Sequence, residues 1–508
     1  MSLRVGNNVT TDPARSRVRM AAPFRRSPVA PSWLRGSLIM NMQVPPPPSR
    51  LFQNLSREHG FEAVPVQGQL PDRLRGTLYR NGAGLFEQFG HRYAHVFEAD
   101  GAVSALRIAD GQAHAAVRVV QSQGLLDERE RGQRLSGSAA SWPQRVRSLH
   151  RGRNKNTANT HVVPWQGELY ALMEGGRPTR IDPDTLETLG ESDLAGTVEG
   201  AFSAHPHRVE ARKTTYNFGL VFGAKPRLDL FALPDEGPAR VLGSVELDHA
   251  VMLHDFIATP RHLVFFVAPI RIVVWRMLLG LGNITDNLRW QPEAGTEVIV
   301  VPIDDPDNPI RFQVEAFACF HFAGAFDTSD GITVDYIRYP DSGMLDALGD
   351  GTRLTWDDRS THAHGSLHRA RIDVRAKAFQ SEALWDGQCE YPRLAPHEEG
   401  AQHGRVWMQS SRYVDNVLRF AVSRVDMDNG HAQLSHALLD PGQLSSETVF
   451  AQDPGGAPGA GWLLTLVYDS FDQRSHVLIH DAQTLERQAR VQLKQAIPLT
   501  FHGSWVPA

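Results

Sequence analysis

From about Leu51 to the C-terminus, short runs rich in Val, Leu, Tyr and Phe recur between Gly, Pro, Asp and Asn turn signals. Examples are GTLYRNG (76–82), ELYALMEGG (168–176), RLDLFALPDEG (227–237), HLVFFVAP (262–269), TEVIVVPIDD (296–305), ITVDYIRYPD (332–341), RVWMQSS (405–411), GWLLTLVYD (461–469) and HVLIHDAQT (476–484). Long helical periods are rare over the same stretch. The pattern predicts an all-β chain of many antiparallel strands. The strands are spread over most of 508 residues, and a sandwich seldom grows so large, so a β-propeller is the expected architecture. No WD- or kelch-like repeat marks single blades.

Residues 1–50 read differently. They are rich in Arg, with Asp12 the one acidic residue, and a Pro run at 45–48 closes them. The expected organisation is a flexible basic arm over 1–50, a solvated tail, followed by a single domain over 51–508. Arg4, Asn7, Asn8 and Asp12 interrupt any secretory apolar core, which makes a cytoplasmic location the default expectation. The formal charge of the whole chain is −5, and that argues against nucleic acid as a main partner. The two cysteines, Cys319 and Cys389, are too few for a disulfide framework or a Cys-rich zinc site, and buried thiols are expected.

The most apolar stretch, LVFFVAPIRIVVWRMLLGL (263–281), is broken by Pro269, Arg271 and Arg276. It offers no clean membrane span. Residues 272–281 could form a short amphipathic helix, with Trp275, Met277, Leu278 and Leu279 on its apolar side. Such a helix either packs into the core or dips into a lipid surface.

Histidine is the unusual count, at 22. Four lie in apolar or aromatic sequence expected to be strand: His205 in AFSAHPH, His254 in VMLHDF, His321 in ACFHFAGAFD and His502 in LTFHGSW. They are far apart in the chain and can meet only if the fold closes on itself, as the inner strands of a propeller do. Four imidazoles meeting there would suit Zn, Cu, Fe or Ni. Spacing alone does not choose these over His161, over the His205–His207 pair or over the His362–His364 pair. Such a site calls for carboxylates accepting the other ring N–H of its histidines. Acidic residues inside apolar sequence are the candidates: Glu174, Glu390 and Glu447. There is no P-loop, no G-x-S-x-G and no complete dinucleotide fingerprint.

In that order along the chain, LYRNGAG (78–84), NTANTHVV (156–163), ALMEGG (171–176), FSAHPH (202–207), LHDFIAT (253–259), FHFAGAFD (320–327), CEYPR (389–393), SSETVF (445–450) and FHGSWVP (501–507) resemble the carotenoid cleavage oxygenase family. The resemblance spans about residues 50–508. It implies a seven-bladed β-propeller with a loop and helix cap over the iron face, and a non-haem Fe(II) held by His205, His254, His321 and His502. It further implies Glu174, Glu390 and Glu447 behind those ligands, with His161, His207, His362 and His364 left to structural roles. The implied reaction is cleavage of a conjugated C=C by O2 into two carbonyl products, without NAD, flavin or 2-oxoglutarate.

After its third histidine the family usually carries Asn and Glu where this chain has Gly324 and Asp327. The stretch 267–301 is most similar to the cyanobacterial apocarotenoid-cleaving, retinal-forming branch. In that branch the corresponding segment borders the substrate entrance at a membrane surface. The resemblance therefore implies an apolar small-molecule substrate and peripheral membrane contact through Ile272, Trp275, Met277, Leu278 and Leu279. A rival on the same fold is a stilbene-cleaving oxygenase, for which Lys155 would grip a phenolic hydroxyl. A rival of another class is a carotenoid or retinoid binder without catalysis.

Overall fold

The computed structural model describes residues 45–135, 155–223, 225–278, 285–349, 364–428 and 431–508. Seven antiparallel sheets form the blades of a propeller. The runs singled out above all fall on strands. His262–Val267 and Thr296–Pro302, for example, pair residue by residue in the fourth blade, where Leu263, Val264, Phe265, Val298, Ile299 and Val300 are fully buried. These near-continuous apolar runs follow from position, because a mid-blade strand packs against both neighbouring blades.

Each blade has an edge strand facing the axis. Those edges are Thr500–Pro507, His161–Trp165, His207–Val209, Ile257–Ala258, Ala318–Asp327, Cys389–Arg393 and Gln443–Gln452, in order from the first blade to the seventh. The ring is closed twice. Thr500–Pro507, from the C-terminus, pairs with Gly76–Leu85 to complete the first blade. Val66–Gly68, from the N-terminal side, pairs with Arg487–Gln492 at the outside of the seventh. Opening the ring would therefore break ladders at two places and expose sheet edges.

Pro45 and Pro48, assigned to the arm from the sequence, are buried, as are Leu51 and Phe52 in the short helix Ser49–Phe52. Residues 1–44 lie outside the described residues. The expected helix over 272–281 is corrected. Ile270–Ile272 is a strand paired with Leu288–Trp290, and the helix is Val274–Leu278. The β-branched Ile270 and Ile272 favour the extended hairpin over a helical start. Met277 and Leu278 belong to that helix, and Leu279 lies outside the described residues. This insertion and the helix Gly343–Leu348 pack on Phe320 in one cluster with Ile270, Met344 and Leu345. Among the described residues, no helix is long and apolar enough to cross a membrane.

Candidate metal centre

The four histidines read from the sequence come together. One ring nitrogen from each of His205, His254, His321 and His502 lies within 4.8 Å of the others, and all four residues are buried. They come from the third, fourth, fifth and first blades. Glu174, Glu390 and Glu447 come from the second, sixth and seventh, so every blade supplies one of the seven residues.

Two expectations about local structure are corrected. His205 and His254 are not on strands. Each sits in the irregular segment leading into its blade's inner strand, two residues before His207–Val209 and three before Ile257–Ala258. Those inner strands are short, and the apolar flanks bury the segments without sheet pairing. Glu174 lies in the turn after Glu168–Leu172. His321 and His502 are on strands, but not in regular register. The ladder carrying His321 slips between Cys319 and Phe322, the one behind His502 between Arg80 and Gly82, and those at Glu390 and Glu447 slip as well. A bulge bends the strand and re-aims a side chain. Here it turns strand residues toward the axis.

Glu390 and Glu447 each reach their histidine at Nδ1. His321 Nδ1 donates to Glu390 Oε2 at 2.5 Å, and His502 Nδ1 to Glu447 Oε1 at 3.0 Å. Glu390 is itself fixed by the Tyr391 N–H and the Tyr339 hydroxyl. Glu447 is 2 % exposed and accepts from Arg80 Nη1, Arg393 Nε and the Gly503 N–H. Burial pushes the Glu447 carboxyl up, but Arg393, His502 and Arg80 outweigh it and hold it well below the usual range. Glu390 is likewise held down, with His321 and Tyr339 outweighing its burial. Glu174 is looser. Its Oε1 is 3.2 Å from His254 Nδ1 and 3.5 Å from His205 Nε2, and its side chain is 35 % exposed.

The cluster has the character of a cation site. His205 Nε2 and Glu174 Oε1 are buried without a hydrogen-bond partner, and His254 Nε2 faces His321 Nε2 at 3.3 Å. A buried imidazole nitrogen without a partner, and two others facing each other, are costly unless something is shared among them. Burial holds His205 and His502 far below the ordinary imidazole value, which keeps them in the neutral, lone-pair form that a metal requires. A four-nitrogen set suits Fe, Zn, Cu or Ni, so the residues present fit an iron ion.

Two aromatic residues beside the centre went unread in the sequence. The Phe320 ring stacks on His254 at 4.3 Å between centroids, and Tyr391 lies 5.2 Å from His321 and 5.3 Å from His502. Tyr391 has φ 53°, a left-handed conformation costly for a bulky residue. His161 reaches the Ala204 carbonyl from Nδ1 at 2.7 Å and buttresses the segment that carries His205. His364 is exposed, and His362 lies outside the described residues. Cys389 is buried and Cys319 half-buried, and both are free thiols. Lys155 is buried. Its ammonium donates to Asp100, Glu128 and the Tyr93 hydroxyl at 2.7, 2.8 and 3.0 Å, which engages all three N–H groups.

Gly324 has a steric reason. A Cβ there would lie 2.4 Å from Leu394 Cδ1 and 2.9 Å from His403 Cε1. The space goes to His403, whose Nε2 donates to the buried Asp335 at 2.8 Å. Asp327 accepts from His262 Nδ1 at 2.8 Å.

Comparison with known proteins agrees with this architecture. Residues 52–507 match the family described as retinal pigment epithelial membrane protein, RPE65. The chain is 31% identical over 505 residues to apocarotenoid-15,15'-oxygenase of Synechocystis, covering 96% of this chain and 98% of that protein. It is 25% identical to a carotenoid cleavage oxygenase of Mycobacterium tuberculosis, over 87% of this chain and 94% of the relative. It is also 25% identical to isoeugenol monooxygenase of Pseudomonas nitroreducens, over 87% and 94%. A solved structure of cobalt-substituted Synechocystis ACO superposes with a TM-score of 0.82 at 30% identity, covering 92% of this chain and all of that one. With its propeller, its axial histidines and these relatives, the chain belongs to the RPE65/carotenoid oxygenase family and is an enzyme of the carotenoid-cleavage type.

Proposed function

We propose that the protein is an Fe(II)-dependent dioxygenase that cleaves a conjugated C=C of an apocarotenoid with O2, giving retinal and a shorter aldehyde. The observation that carries this reading is the convergence of His205, His254, His321 and His502 within 4.8 Å, backed by Glu390 and Glu447. These four residues would hold the iron, with Glu174, Glu390 and Glu447 orienting the rings from behind. When bound, iron supplies the activation of O2 toward an alkene. The protein's own part is orientation and exclusion of water. The buried histidines leave little room for bulk solvent. The ring of Tyr391, partly exposed and 5.2 Å from His321, offers flat apolar surface to a rigid polyene.

The choice of an apocarotenoid is supported by the relative at 31% identity. A phenolic stilbene is disfavoured by Lys155. Its three donors are already engaged by two buried carboxylates and Tyr93. Gripping a phenol would mean breaking a buried ion pair, a cost of several kcal/mol, on the order of 3–5. Peripheral contact with a lipid surface is supported by Trp275, 59% exposed on the inserted helix Val274–Leu278.

The test is reconstitution with Fe(II) without oxygen, then incubation with β-apo-8′-carotenal or resveratrol under O2, with products read by mass. Retinal from the first substrate is the expected result. Benzaldehydes from the second alone would move the enzyme to stilbenes. No product from either, with iron bound, would refute the substrate class.

A further inference from the structure

Behind the histidines lies a carboxylate that belongs to none of the three glutamates. Asp255 is 3% exposed and follows His254 directly. Its Oδ1 accepts from His207 Nε2 at 2.8 Å and from the Phe256 N–H at 2.7 Å. Its Oδ2 accepts from the Phe322 N–H at 3.0 Å. The partners are not scattered. His207 is two residues beyond His205, Asp255 is next to His254, and Phe322 is next to His321. One buried side chain thus joins the third, fourth and fifth blades at the points where each presents a histidine to the axis.

We infer that Asp255 is a positioning residue, a shared anchor that sets the spacing of His205, His254 and His321. Rigidity is what these segments otherwise lack. His205 and His254 sit on irregular backbone, which has no ladder to hold it. Their carboxylate neighbour Glu174 is half-exposed and too far for a well-formed bond to His205. A buried carboxylate accepting three N–H groups is fixed in place by geometry and by charge. It supplies to the irregular segments what the bulged strands supply to His321 and His502. An amide at this position cannot reproduce it. With its oxygen toward His207 and Phe256, its NH2 would point at the Phe322 N–H, donor against donor.

The inference rests on the four-histidine site taking iron, and the experiment separates the two. Iron-loaded wild type, Asp255→Asn, His207→Gln and, as a control, Asp335→Asn are challenged with excess Fe(II) chelator, and iron release is followed alongside thermal unfolding. Asp335 is equally buried and holds Arg369 and His403, neither of them one of the four axial histidines. Asp255→Asn should lose roughly ten- to a hundred-fold in iron affinity, the scale for residues that orient metal ligands. His207→Gln, which loosens one arm, should lose several-fold. Asp335→Asn should unfold at a lower temperature yet keep wild-type iron affinity. If Asp255→Asn does not fold, His207→Gln decides alone. Wild-type iron affinity in a folded Asp255→Asn, or in His207→Gln, overturns the inference. So does an equal loss in Asp335→Asn, since the effect would then be general softening. A wild-type protein that takes up no Fe(II) refutes the functional reading itself, and this inference with it.

Discussion

The candidate centre has two unlike halves. His321 and His502 stand on inner strands, with buried carboxylates bonded to their Nδ1 atoms at 2.5 and 3.0 Å. His205 and His254 stand on irregular segments, share one half-exposed glutamate at 3.5 and 3.2 Å, and lean on backbone anchors instead. The strand-borne half is held ring by ring. The other half is held by its main chain, through Asp255 to His207 and Phe322 and through His161 to Ala204. The difference shows that the spacing of one histidine cluster can be set by two means, and that these should fail differently.

The largest break should come at Glu447. Glu447→Gln leaves Arg80 and Arg393 facing a neutral group inside the protein. Loss of one partner of a buried ion pair costs about 3–5 kcal/mol. Denaturant unfolding should show that loss even without metal. Next comes a contrast between the halves. Glu390→Gln should weaken iron binding by about ten- to a hundred-fold, and Glu174→Gln by less, in chelator competition at matched stability. Equal losses would erase the distinction drawn here.

Gly324→Asn, which restores the family's usual residue, should destabilise by about 1–3 kcal/mol, the range for overpacking. The new side chain meets Leu394 and displaces His403 from Asp335. Thermal unfolding of this variant alone and combined with His403→Ala checks it, and the second change should recover part of the loss.

The last contrast concerns pH dependence. Burial, helped by Arg393, pulls His161 down from 6.5 to about 4. Between those values the unfolded chain takes a proton that the folded one refuses, so stability falls as pH drops from 6.5 toward 4. One such group contributes a slope of at most about 1.4 kcal/mol per pH unit. His161→Gln should flatten the acid limb of metal-free unfolding by about that slope, and an unchanged limb would contradict the assignment.

The strands were legible because alternation, β-branched residues and Gly, Pro or Asp breaks are local signals. HLVFFVAP and GWLLTLVYD show this, each lying on a buried strand. The double closure was not, since pairing Val66 with Val491 or Arg80 with Gly503 depends on residues hundreds of positions apart. The histidines were picked by their apolar flanks, and that filter worked for burial but not for secondary structure. It placed His205 and His254 on strands because a buried loop and a buried strand share a composition. Bulges leave no mark in a run such as ACFHFAGAFD. Asp255 was missed although the filter that picked Glu174, Glu390 and Glu447 would have caught it. It sits in LHDFIAT, an acid among Leu253, Phe256 and Ile257. Its role as a junction appears only once three blades meet.

In the proposed enzyme His205, His254, His321 and His502 together hold one iron. Iron K-edge absorption of the reconstituted protein reads this out, with wild type compared against His205→Ala. The expected result is one iron per chain and a coordination shell with four imidazole nitrogens, falling by one in the variant. A shell dominated by oxygen, or one unchanged by loss of His205, would contradict it.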